Sequence, residues 1–191
     1  PVGEGLSHGT TMKGVGLNMF PSWMDRRGIV LARTSLGTLG GGNHFLEVQE
    51  GDDGYIWIMI HSGSRNPGYR IADHHHKCAV AFCRSHSLKP PTSELSWLPV
   101  DSRAGREYLE DMLFAMDYAS ENRRRLMNAM KEILSDAVGG LTFSEEVNIH
   151  HNYASEENHF GRKVWVQRKG ATSAWTEQKG IIPGSLGTHS F

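Results

Sequence analysis

The sequence predicts an α+β fold, a complex mixed sheet with long helices, and three observations lead there. Residues 55–60, "YIWIMI", are a continuous aromatic and β-branched run of the kind found in buried strands. Between residues 109 and 134, Leu109, Met112, Leu113, Met116, Ala119, Leu126, Met127, Met130, Ile133 and Leu134 recur at steps of three and four, giving one apolar helix face over roughly thirty residues. Strands and helices do not alternate as regular βαβ units, which argues against a doubly wound sheet. At 191 residues the chain is read as a single domain, 1–191.

Taken in order, residues 1–28 are rich in Gly and Met without a period and read as loops with a short element. Residues 29–32 read as a strand. Residues 35–42 hold Gly37, Gly40, Gly41 and Gly42 and read as a turn. A strand is expected at 45–48, then the turn Gly51-Asp52-Asp53-Gly54, then a strand at 55–60 buried on both faces. A helix is expected at 71–86, with His74, His75 and His76 at its solvated start. Residues 87–101, with Pro90, Pro91 and Pro99, form an irregular connection. Asp101 or Ser102 caps the long helix and Gly139-Gly140 end it. Arg123 interrupts its apolar stripe, and the run Arg123–Arg125 reads as an exposed face. Short strands are expected at 147–149 and 164–167.

A net charge of −1 gives no bulk electrostatic argument for nucleic acid. Cys78 and Cys83 match neither a CxxC pair nor a disulfide framework, which fits a reducing cytoplasm. No stretch approaches the ~18 apolar residues of a membrane span.

The chemistry is concentrated in histidine, of which there are eleven. His44, His61 and His151 each adjoin a short apolar run and are flanked by Gly or Asn. Neutral imidazole is the commonest metal ligand, and three converging from separate strands suit a divalent transition metal. One such histidine by itself is more often a buried group bonded to backbone. His150 competes with His151, but neighbours on a strand face opposite ways, so only one of them enters a site. Three consecutive imidazoles on a helix point about 100° apart, so His74, His75 and His76 cannot chelate one ion together. "HSGSRNPG", residues 61–68, places Arg65 and backbone N–H groups where a phosphate would fit, or forms a plain strand-to-helix turn. Residues 167–191 carry Arg168, Lys169 and Lys179 among glycines and hydroxyls, and suit either a nucleotide or a solvated loop. There is no GxxxxGK[ST] motif, and the glycines at 37–42 lack the spacing of a dinucleotide fingerprint.

Six blocks in order, "LGTLGGGNHFLEV", "IHSGSRNPG", "AGREYLEDM", "HHNYASEE", "RKGATSA" and "IIPGSLGTHSF", closely resemble the RtcB family of GTP-dependent RNA ligases. The resemblance runs from about residue 28 to the C-terminus. It implies GTP and two Mn²⁺ as cofactors. It implies an RNA 3′-phosphate or 2′,3′-cyclic phosphate end joined to a 5′-hydroxyl end, in tRNA splicing or RNA repair. It also implies RNA as partner, an archease-type activator, a cytoplasmic monomer and no membrane association. Carried over by motif, His44, His61 and His151 match metal ligands, His151 being preferred because it precedes Asn152. Asn43, His44, Phe45, Leu46, Glu47, His151, Asn152, Pro183, Gly184, Ser185, Leu186 and Ser190 match the guanylate surroundings, and Arg65 a phosphate contact. The family's "DxGCG"-like segment, with an Asp and a metal-bridging Cys, has no match here, nor does the "HGAGR"-like segment with the guanylated histidine. The expectation is therefore the central part of such a ligase, without ligation by this chain alone and with weakened metal binding. A metal-dependent phosphatase or phosphodiesterase on the same histidines, or a non-catalytic RNA-binding fragment, are the competing readings.

Overall fold

The structure, a computed structural model, describes residues 20–184 and 188–191. The expectations for residues 1–19, and for Ser185 and Leu186, lie outside the described residues. The described elements are α1 (Arg26–Ser35), β1 (Phe45–Glu50), β2 (Ile56–His61), α2 (Pro67–Ser85), α3 (Arg103–Val138), β3 (Asn152–His159) and β4 (Arg162–Lys169). A short 3₁₀ turn, Ser93–Leu95, lies within the proline-rich connection. The α+β class holds. The strands do not form one complex mixed sheet, however: β1 pairs only with β2 and β3 only with β4, both antiparallel, among the described residues.

The three helices make the core. Ala32 of α1, Ile71 of α2, and Phe114 and Tyr118 of α3 pack with Met24. The Tyr118 hydroxyl is fully buried and donates to the Ala32 carbonyl at 2.5 Å. Burial pushes its pKa up to about 12, so it stays a donor across the working range. The 29–32 segment is thus helix rather than strand. Asp25 caps it by accepting from Gly28 N at 2.8 Å, and the helical turn turns Ala32 inward. Four apolar residues are too few to distinguish a strand from a buried helix turn.

Ser102 caps α3, accepting from Gly105 N at 3.0 Å and donating to Pro99 O at 2.6 Å. Gly105 is required there, since a Cβ would overlap the Pro99 carbonyl. The buried face of α3 is Gly105, Phe114, Tyr118, Ala119 and Asn122. It is therefore offset from the Met-rich stripe, and Ile133 near the C-terminal end is 59% exposed.

Strand β2 is not buried on both faces: Ile56 is 64% and Trp57 41% exposed, because a two-stranded ribbon has no neighbour beyond β1. No strand forms at 147–149; the paired segment begins at Asn152. His74 and His75 are not a solvated start. Helix α2 begins earlier, at Pro67, so they fall inside it. His75 is 4% exposed and lies 2.7 Å from Asp111 Oδ2, which also accepts from Trp23 Nε1 at 2.7 Å. The His74 ring stacks on Trp23 with centroids 4.0 Å apart. No described helix is long and apolar enough to cross a membrane.

Candidate metal and nucleotide site

Three segments distant in sequence bring their histidines together. The antiparallel register sets Phe45 directly opposite His61, and Glu47 opposite Met59. Side chains opposite one another, or two apart on one strand, share a face, so Phe45, Glu47, Met59 and His61 project from the same side of the hairpin. His44 precedes β1, and its ring centroid is 5.5 Å from that of His61. His151 precedes β3, and its Nε2 lies 3.2 Å from His61 Nε2. Two nitrogens bound to one cation at about 2.1 Å and a tetrahedral angle stand about 3.4 Å apart. The His61–His151 spacing therefore fits two ligands of one ion. Among the described residues no three His, Cys, Asp or Glu side chains close around a single metal position, so His44 stands beside the pair rather than completing it.

The surroundings of His61 favour its neutral, ligating form. Burial is the main cause that lowers the His61 pKa, with His151 and His44 adding to it, while a hydrogen bond with the Asn43 backbone opposes it. A neutral ring keeps a lone pair. His151 Nδ1 is buried with no hydrogen-bond partner. At His150, burial, then the charge of Arg123, then His151, push the pKa down to about 4.

The scaffold behind these rings was not recognised from sequence. Asn122 of α3 is 0% exposed. Its Oδ1 accepts from Gly37 N at 2.7 Å and Thr38 N at 3.2 Å. Its Nδ2 donates to Thr38 O, Ser62 Oγ and Gly63 O at 3.1, 3.0 and 3.3 Å. Arg123, expected on an exposed face, instead turns inward. Its Nε donates to Asn148 Oδ1 at 2.7 Å and its Nη1 to Ser62 O at 3.2 Å. Burial without a carboxylate partner lowers its pKa to about 10, which leaves it charged at neutral pH. Only Arg124 and Arg125 lie on the solvent side, both paired with Glu121. One sequence signal existed for Arg123: it interrupts the apolar stripe of α3.

Arg65 reaches back over the glycine turn. Its Nε donates to Thr38 Oγ1 at 3.2 Å, and its Nη1 lies 3.3 Å from His44 Nδ1. A Cβ on Gly40, whose φ is +90°, would overlap that guanidinium. Here the opening left by glycine has a definite use: it lets Arg65 cross the turn to His44.

The residues expected around a nucleotide fall on two sides. A cavity of about 1270 Å³ is lined by Glu47, Met59, Arg123, Asn148, Gly184 and Ser190 among others, and by none of the three histidines. Ser190 Oγ accepts from Gly184 N at 3.0 Å, and Ile182 and Phe191 pair through their backbones. Gln49 bridges Glu47 at 2.7 Å and Ser190 at 3.5 Å. Pro183 and Asn43 are exposed, and Leu46 sits opposite Ile60. The Asn152 side chain accepts from Gly170 N at 2.9 Å and so closes the base of the second hairpin. Cavity and histidines meet through the shared hairpin face and through Arg123 and Asn148.

Together these features define an α+β protein with an imidazole cluster at the edge of a large open cavity. The chain belongs to the RtcB family: the family model described as tRNA-splicing ligase RtcB matches residues 7–191. It is similar to the RNA-splicing ligase RtcB of Escherichia coli K12, at 38% identity over 82% of this chain and 40% of that protein. It is also similar to the tRNA-splicing ligase RtcB of Pyrobaculum aerophilum, at 31% identity over 90% of this chain and 43% of that protein. To that of Pyrococcus furiosus the identity is 30% over 98% of this chain and 23% of the relative. The chain therefore spans less than half the length of these relatives.

Proposed function

We propose that these residues serve an RNA ligase that joins 3′-phosphate or 2′,3′-cyclic phosphate ends to 5′-hydroxyl ends, with GTP and Mn²⁺, in cytoplasmic tRNA splicing or RNA repair. Family membership supports the class of reaction. The observation that carries the assignment of roles is the 3.2 Å approach of His61 and His151 nitrogens, with His44 one ring away. His61 and His151, with His44, would hold Mn²⁺. The donor set fits: two imidazole nitrogens at ligand spacing, one ring with its second nitrogen unpartnered. A divalent ion there supplies positive charge where a phosphorus centre gathers negative charge during nucleotidyl and phosphoryl transfer. Arg65, the guanidinium nearest His44, binds and orients a phosphate beside it. Glu47, Gly184 and Ser190, on the cavity wall, take the guanine nucleotide, with Phe45 packing against His61 at the boundary. RNA is the substrate, and an archease-type protein is the expected activator.

Calorimetric titration of the chain with GMP and AMP, with and without Mn²⁺, tests this reading. It predicts guanine-nucleotide binding that requires Mn²⁺, is lost in His61→Ala, and exceeds adenine-nucleotide binding by at least about tenfold. Equal binding of GMP in the presence of a chelator, or equal binding of AMP, would contradict it. Metal-dependent phosphate release from RNA ends with no nucleotide present would favour a hydrolase.

A further inference from the structure

His44 Nδ1 sits between two groups that require opposite tautomers. The Leu39 carbonyl, 3.0 Å away, only accepts, so it needs the proton on Nδ1. The Arg65 guanidinium, 3.3 Å away, only donates, so it needs a lone pair there. A relay runs from the long helix to the first of these. Asn122 Nδ2 donates to Ser62 Oγ at 3.0 Å. Ser62 Oγ, having accepted, turns its own proton to Leu39 O at 2.9 Å. Ser62 is 4% exposed and Asn122 is 0% exposed, so water does not substitute easily for either link.

We propose that Asn122 and Ser62 are positioning residues: by holding the Leu39 carbonyl on His44 Nδ1 against the pull of Arg65, they keep the proton on Nδ1 and leave the lone pair on Nε2. The proposal deepens the metal-site reading and depends on it for its purpose, but the tautomer is read in the metal-free protein. An imidazole whose distal N–H is fixed by a carbonyl is the ring form that ligates through its other nitrogen. Arg65 keeps its bond to Thr38 Oγ1, so losing the His44 contact does not leave the guanidinium alone.

The test is ¹⁵N NMR of the ring nitrogens in metal-free protein, at a pH above the ordinary imidazole range. The wild-type His44 should show the Nδ1–H form. In Ser62→Ala the ratio of Nδ1–H to Nε2–H should fall by roughly five- to tenfold, the worth of one hydrogen bond. Adding Arg65→Met to Ser62→Ala should restore the ratio, because the competing donor is gone. A purely structural role for Ser62 predicts no such rescue. Asn122→Ala should act in the same direction where it folds; Ser62→Ala, a loss of one oxygen, carries the test if it does not. An Nε2–H form in the wild type, or an unchanged ratio in Ser62→Ala, overturns the proposal. Absence of Mn²⁺ binding by the wild type would instead overturn the reading of the site, with the tautomer result unaffected.

Discussion

Asn122→Ala will destabilise the fold by on the order of 3–5 kcal/mol. The side chain is fully buried and makes five hydrogen bonds to the glycine turn and the segment after β2. Truncation leaves Gly37 N–H and the Gly63 carbonyl without the partner shown for them, while Thr38 N keeps a bond to Ser35 O at 3.2 Å. Each stranded buried group costs about 1–3 kcal/mol, and the new cavity adds to that. Asn122→Asp should be no better, because a second carboxylate oxygen would face the Thr38 and Gly63 carbonyls where an N–H₂ now donates. Denaturant unfolding of the two variants beside the wild type gives the number. A loss below about 1 kcal/mol would mean that the turn and the His61 segment are held by something other than this amide.

The second large effect is acid sensitivity. His150 is held down to about 4 by burial, with Arg123 and His151 contributing, whereas an unfolded histidine titrates near 6.5. Between those values the unfolded chain takes a proton that the folded chain refuses, so stability rises with pH across this window and falls as pH drops through it. At most about 3 kcal/mol is at stake, reached near pH 4. His61 and His74, also lowered by burial, add loss of the same sign below the ordinary imidazole pKa. Glu157, held at about 2 chiefly by Arg168 and then His159, acts in a lower window: its contribution is present above the unfolded carboxylate pKa of 4.5 and fades as pH falls toward 2. The two windows separate the causes. His150→Gln should flatten the stability profile between about pH 6.5 and 4 and leave the steeper loss below it. Parallel profiles for wild type and variant would remove His150 as the source.

Local rules predicted some elements well. The 55–60 run, the Gly51–Gly54 turn and the caps of α3 all follow from propensity, turn chemistry and periodicity, which act within a few residues. Strand β3, "NYASEENH", is polar and has no alternation to read; pairing with β4 along its whole length makes it a strand. The four-residue apolar run in α1 was ambiguous until Ala32 found Tyr118, 86 positions away. Depth was the least legible property. His75 and Arg123 are polar and look solvated in sequence, yet His75 is buried against Asp111 of α3, and Arg123 is half-buried and bonded to Ser62 and Asn148. The approach of His61 and His151 was legible because glycine and asparagine flank them in the sequence. The amide that organises them was not, because nothing in a helix sequence distinguishes an asparagine that faces a turn 84 residues away.

The central claim is that His61 and His151, from two separate segments, bind one cation, with His44 beside them. Pulsed EPR on the Mn²⁺-loaded chain, selectively labelled with ¹⁵N-histidine, reads this directly. Nitrogen couplings of directly bound imidazoles are expected, reduced in His61→Ala and again in His151→Ala, with His44→Ala having the smallest effect of the three. Mn²⁺ bound with no histidine coupling, or couplings untouched by all three substitutions, would contradict it.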